Sequence, residues 1–197
     1  MLKHLQTIII TLALCMGTVW AGDVEDGNAA ILKNDYVTAL KKYKIAAAKN
    51  DAFAQIQIGN IYNEGLGVKQ DYAEAMRWYK LAAAQGYAQA QTSLGVMYEI
   101  GNGVAQDSAE AMRWYKLAAA QGKLQAQNNL AIMYGKGQGG VEDYVRAHMW
   151  FNLAAAMGHS TAVKGRDIVA EQMTPQQRLE AQKLARECQA RNFKNCD

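Results

Sequence analysis

Apolar residues recur along the chain at helical spacing. Ala54, Ile58, Ile61 and Tyr62 stand at i, i+4, i+7 and i+8, and Ala90, Leu94, Met97 and Tyr98 repeat that spacing 36 residues later. Each set predicts a helix with one buried face. Gly65-Leu66-Gly67 then supplies the glycines that end such a helix. A second helix is predicted from Asp71. Asp71 with Glu74, and Asp107 with Glu110, have the spacing of capping boxes, with aspartate as the N-cap. Ala75, Trp78, Tyr79, Ala82 and Ala83 form its packing face, small where two helices meet, and Gly86 closes the unit.

The unit recurs. Gly59, Gly95 and Ala131 are 36 residues apart, as are Tyr62, Tyr98 and Tyr134; Asp71, Asp107 and Asp143; and Trp78, Trp114 and Trp150. A period of this length is the signature of a solenoid, in which no unit can bury its apolar face alone. Glycine inside a helix costs about 1 kcal/mol against alanine. Gly59 and Gly95 therefore predict a neighbour packed too close for a larger side chain. The three tryptophans are expected to pack between helices of adjoining units. Domain boundaries follow: an N-terminal capping half-repeat over 22–50; repeats over 51–86, 87–122 and 123–158; and C-terminal capping helices with a tail over 159–197. In the half-repeat, Asp35, Tyr36, Ala39 and Tyr43 keep the register while Lys42 replaces the tryptophan. At the other end Thr174-Pro175-Gln176-Gln177 opens a last helix with N-cap, N1 proline and N3 glutamine in place.

The N-terminus reads differently. A basic start, an apolar run from Ile8 to Leu14 and the small-residue signal Val19-Trp20-Ala21 predict a signal peptide over 1–21, cleaved after Ala21. Leu14 before Cys15 is too large for a lipoprotein signal. Export leaves Cys188 and Cys196, an even pair in an oxidising compartment, and a disulfide is expected between them.

The run Ala-x-x-x-Leu-Gly-x-x-Tyr-x-x-Gly-x-Gly-Val-x-x-Asp followed by Ala-x-x-Trp-Tyr-x-x-Ala-Ala-x-x-Gly resembles the Sel-one-like repeat (SLR), a close relative of the tetratricopeptide repeat. Residues 90–122 match it throughout, 54–86 with Ile58 for leucine, and 126–158 with Ala131 for glycine, Phe151 for tyrosine and an extra Gly140. The resemblance implies an all-α fold: a right-handed α-solenoid of antiparallel helix pairs, a TPR-like superhelix that works as an adaptor, often in bacterial envelopes. Some cysteine-rich members of that family are described as binding or hydrolysing β-lactams. Their cysteine pair in each repeat is missing from the three repeats here.

Composition narrows the chemistry. The net charge of the 197 residues is only +3, with no basic stripe for nucleic acid. Gly135-Lys136-Gly137-Gln138-Gly139-Gly140 fits G-x-G-x-x-G, but a helix precedes it, whereas a dinucleotide site needs a strand. The aspartates sit at N-caps, and His148 and His159 lack the spacing of a metal pair. No catalytic residue, cofactor or metal is expected. The sequence thus predicts a periplasmic or secreted, monomeric, non-enzymatic adaptor for a protein or peptide, without nucleic acid and without membrane insertion once the signal is cleaved. The alternative is a hydrolase of cell-wall peptides or β-lactams. Concave faces of solenoids are lined by the first helix of each unit. The positions varying between units there, Ile56, Asn60 and Asn63; Thr92, Val96 and Glu99; and Asn128, Ile132 and Gly135, are the expected partner-binding residues.

Overall fold

The computed structural model describes residues 22–196. The signal peptide expected over 1–21 lies outside them. The described residues form helices joined by short turns, an all-α repeat solenoid. They fall into two compact units, the first ending at Ala82 and the second beginning at Ala83.

The first unit holds α1 (22–32), α2 (Tyr36–Ala47), α3 (Ala52–Glu64) and most of α4 (Tyr72–Ala84). Its core gathers Ala30, Ala39, Leu40, Tyr43, Ala46, Ala54, Ile58 and Ile61, with Tyr62, Val68 and Trp78 against it. The expected half-repeat is a full helix pair. Tyr43 of α2 lies on Gly27 of α1, where an added Cβ would sit 2.6 Å from the ring. Tyr79 of α4 makes the same contact with Gly59 of α3, at 2.5 Å. The pair escapes the 36-residue pattern because the turn at Asn34, shorter than the glycine loop after α3, shifts α1 against its counterpart.

The second unit holds α5 (Ala88–Ile100), α6 (Ser108–Ala119), α7 (Leu124–Lys136), α8 (Tyr144–Ala156), α9 (Ser160–Glu171) and α10 (Pro175–Ala190). Alanines 111, 118, 119, 126, 131, 147 and 154 let helices approach closely around Tyr115, Leu130, Met133, Met149 and Trp150. Tyr115 lies on Gly95, where a Cβ would meet its ring at 2.5 Å. The crowding expected at the repeat glycines thus comes from the tyrosine of the paired helix.

Local chemistry sets the loops. Gly65, Gly101 and Gly137 end α3, α5 and α7 in the left-handed conformation. Past each glycine the chain turns back, and the amides of Asp71, Asp107 and Asp143 donate to the carbonyls of Tyr62, Tyr98 and Tyr134, each at 2.9 Å. The same aspartates cap the next helix through the amides of Glu74, Glu110 and Arg146. Only half of each expected capping box forms, because Glu74 and Glu110 turn to Arg77 and Arg113. The full box occurs between Thr174 and Gln177 at the head of α10. The extra Gly140 shifts the loop valine by one place. Val68 and Val104 are half-buried, whereas Val141 is 90% exposed.

The tryptophans are not equivalent. Trp78 and Trp114 are half-buried, each under a stacked guanidinium, with Arg77 4.4 Å and Arg113 4.2 Å from the ring centroids. Trp78 Nε1 also donates to Glu74 at 2.7 Å. Trp150 is 2% exposed, sharing a hollow with Phe193, Asn195 and Cys196 of the C-terminal tail. The expected packing between helices is thus incomplete for Trp78, which packs against the first unit's core, and for Trp114, whose Nε1 is buried, since each is only half-buried. The tail is tied down by a disulfide between Cys188 and Cys196, with Cα atoms 5.1 Å apart.

Candidate functional site

The expected partner-binding positions separate into three groups by what they touch. Ile56, Thr92 and Asn128, the first of each trio, are buried at 4–5% exposure and are packing residues in the free chain. Asn128 lies beside Thr161 of α9, so the first helix of the next pair covers this position. Thr92 turns its hydroxyl back to the carbonyl of Ala88 at 2.8 Å.

Two others are engaged by the repeat tyrosines. Asn60 accepts the Tyr79 hydroxyl at 2.7 Å, and Glu99 accepts the Tyr115 hydroxyl at 2.6 Å. Burial, reinforced by the Glu99 carboxylate, pushes the Tyr115 phenol far above its ordinary range, so the ring stays neutral and donating. Asn63, Val96, Ile132 and Gly135 are half-buried and take no part in these bonds.

In the second unit these positions lead to an apolar hollow of about 350 Å³. Ala131, Ile132, Gly135, Phe151, Gly165, Ile168 and Val169 line it, with Lys136, Tyr144 and Gln172 among the lining residues as polar groups. Three replacements on the 36-residue lattice create it. In the preceding pair, Tyr115 bonds Glu99 and is reached by the Asn129 amide. One period later those places hold Phe151, Gly135 and Gly165. A polar cluster has become a phenyl ring set against Gly165, with Gly135 in the lining of the same hollow. Phe151 lies against Gly165 so closely that a Cβ there would be 2.5 Å from the ring.

Of the expected face, Ile132 and Gly135 line this hollow. Val96 of α5, Ile132 of α7 and Ile168 of α9 are one period apart, and Ile168 is 64% exposed. Phe151, Gly165, Ile168, Val169 and Lys136 were not among the expected binding residues. The 36-residue register carries them all, but α9 lacks the Leu-Gly and Tyr marks of the repeat, so the register is not visible that far from those marks alone.

His148 is buried with Nδ1 unpartnered, and burial, with Arg166 and Arg178 nearby, holds its pKa below the usual imidazole value. It lies within α8. Among the described residues, no three His, Cys, Asp or Glu side chains converge as a metal set, and no helix is long and apolar enough to cross a membrane. The glycine-rich segment at 135–140 is the end of α7 and its left-handed turn, with Gly139 against the backbone of Ser108.

Comparison with known proteins agrees with this architecture. The Sel1 repeat model matches residues 52–87, 88–123 and 124–159, one residue later than the boundaries read from the period. Among solved structures, the chain is similar to a protective antigen present in uropathogenic Escherichia coli strains and displaying an SLR fold. The identity is 32% and the TM-score 0.73, over 79% of this chain and 34% of that one. It is also similar to a Sel1 repeat protein from Oxalobacter formigenes, at 37% identity and a TM-score of 0.62 over 66% of this chain and 52% of that one. The chain thus spans about a third and about half the length of these two proteins. No curated protein matches its sequence. With three repeats matched over more than half its length, and with helix pairs built on the same glycine, tyrosine and aspartate positions, the chain belongs to the Sel1 repeat family.

Proposed function

We propose that this protein is an exported, non-enzymatic adaptor that binds another protein through the inner face of its first helices. The Sel1 fold is in general a protein-interaction scaffold without catalysis, and a protein partner follows at that level. The finer reading rests on one observation: Val96, Ile132 and Ile168 lie one period apart on successive first helices and are only partly buried. Side chains that a solenoid needs for its own stacking are buried here, as Leu94 and Leu130 are. Val96 and Ile132 pack against that core with part of each side chain left open, and Ile168 is 64% exposed, so apolar atoms in register remain available to a partner.

Export is supported by the N-terminal sequence and by the pairing of Cys188 with Cys196, which suits an oxidising compartment. The periplasm or the cell exterior is the proposed location. N-terminal sequencing of the protein recovered from an envelope fraction tests it, with Gly22 expected as the first residue. A chain that retains Met1 in the cytoplasm would overturn the export reading. The hydrolase alternative has no support in the geometry.

A further inference from the structure

We infer that the hollow between α7, α8 and α9 is a specificity pocket for a peptide that inserts an apolar side chain beside an acidic residue. The inference rests on the protein-binding reading above and names the partner's chemistry. It begins with the lattice comparison. At the preceding position the same space is filled by the Tyr115 hydroxyl, Glu99 and Asn129. Replacing all three at once by Phe151, Gly135 and Gly165 removes the hydrogen-bonding groups of that cluster and leaves smaller, apolar residues in their places. A polar group seated against Phe151, Gly135 and Gly165 would lack the partners that Glu99 and Asn129 give Tyr115 and would be buried unsatisfied there, since the lining's hydrogen-bonding side chains are those of Lys136, Tyr144 and Gln172. An aliphatic or aromatic side chain loses water on Ile132, Phe151, Ile168 and Val169.

The second element is charge. Lys136 is the only charged residue among those lining the hollow. It stands exposed at the last turn of α7, and it belongs to no ion pair among the described residues. Gln172 and Tyr144 add neutral hydrogen-bonding groups. A carboxylate next to the inserted side chain is therefore matched and a basic neighbour is repelled. A peptide is the fitting occupant because the hollow continues the Val96–Ile132–Ile168 line, which gives a chain further apolar contacts on the same face.

The test uses the mature chain, 22–197, with ¹³C-labelled isoleucine and valine methyl groups read by NMR. Three probes are titrated: an octapeptide with one leucine flanked by aspartates, the same peptide with lysines, and decanoate. The acidic peptide is expected to shift the methyls of Ile132, Ile168 and Val169, and the lysine peptide to bind at least about fivefold more weakly. Lys136→Glu should reverse that order. Phe151→Tyr with Gly135→Glu, which rebuilds the polar pair of the preceding unit, should abolish the shifts. A Cβ at Gly135 meets only Ala147 and Val169, at 3.6 and 3.8 Å, and circular dichroism verifies that the double variant is folded before it is titrated. Shifts at Val96 with the three pocket methyls unmoved would leave the protein-binding face standing and overturn the pocket. Equal binding of both peptides, response to decanoate alone, or no response to any probe would overturn the inference.

Discussion

Two glycines in corresponding helices respond oppositely to one added methyl group. At Gly95 a Cβ would sit 2.5 Å from Cε1 and 2.6 Å from Cδ1 of Tyr115, a fully buried ring. The ring is held from its far end by Glu99 at 2.6 Å, so it cannot swing away without losing that bond. Overpacking of this kind costs about 1–3 kcal/mol, and a stretched buried hydrogen bond about 1 kcal/mol more. The gain in helix propensity on replacing glycine is about 1 kcal/mol. Gly95→Ala is therefore expected to destabilise by about 1–3 kcal/mol. At Gly135 the nearest atoms to a Cβ are Ala147 Cβ at 3.6 Å and Val169 Cγ2 at 3.8 Å, ordinary contact distances. There only the propensity gain remains, reduced because Gly135 lies one residue from the end of α7, and Gly135→Ala should stabilise by several tenths of a kcal/mol up to about 1 kcal/mol. Urea unfolding of both variants, followed by circular dichroism, decides the matter. A Gly95→Ala protein as stable as its parent would refute the proposed contact between glycine and tyrosine.

Other consequences follow from the same contacts. Trp150→Ala should cost about 3–5 kcal/mol as a buried aromatic, and Trp114→Ala clearly less because its ring is partly open to solvent; thermal melts of the two variants should keep that order. His148 titrates at a lower pH folded than unfolded, so the unfolded chain binds its proton more readily. Its effect on stability is absent above the unfolded value of about 6.5 and grows as pH falls from there toward the folded value. Urea midpoints should drop between pH 7 and pH 5, and His148→Leu should flatten that part of the profile. Reducing the Cys188–Cys196 bond, which closes a loop eight residues in sequence separation, should lower stability by about 2–3 kcal/mol, read as a shift in melting temperature with and without reductant.

Local rules made the helices legible. Asp71, Asp107 and Asp143, the left-handed glycines and the Thr174 capping box act over a few residues, so their sequence spacing carries their geometry. What could not be read depends on what arrives from elsewhere in the chain. Trp114 and Trp150 occupy the same repeat position, yet only Trp150 lies beneath a tail, and the tail begins some forty residues later. Ile56, Thr92 and Asn128 vary between units, which suggested freedom, but variation at a buried position reflects different neighbours; Asn128, for one, meets Thr161. The hollow was present in the sequence as three substitutions at one period. It became a site only when the structure showed that Tyr115, Glu99 and Asn129 meet and that Phe151, Gly135 and Gly165, one period later, line one hollow.

Capture from an envelope extract tests the central claim most directly. The mature chain and its Val96→Asp, Ile132→Asp double variant, both verified as folded by circular dichroism, are immobilised side by side, and bound proteins are identified by mass spectrometry. A protein retained by the parent and lost from the double variant is the result this account expects. Equal retention of the same proteins by both, or retention by neither, would contradict a partner-binding face on α5 and α7.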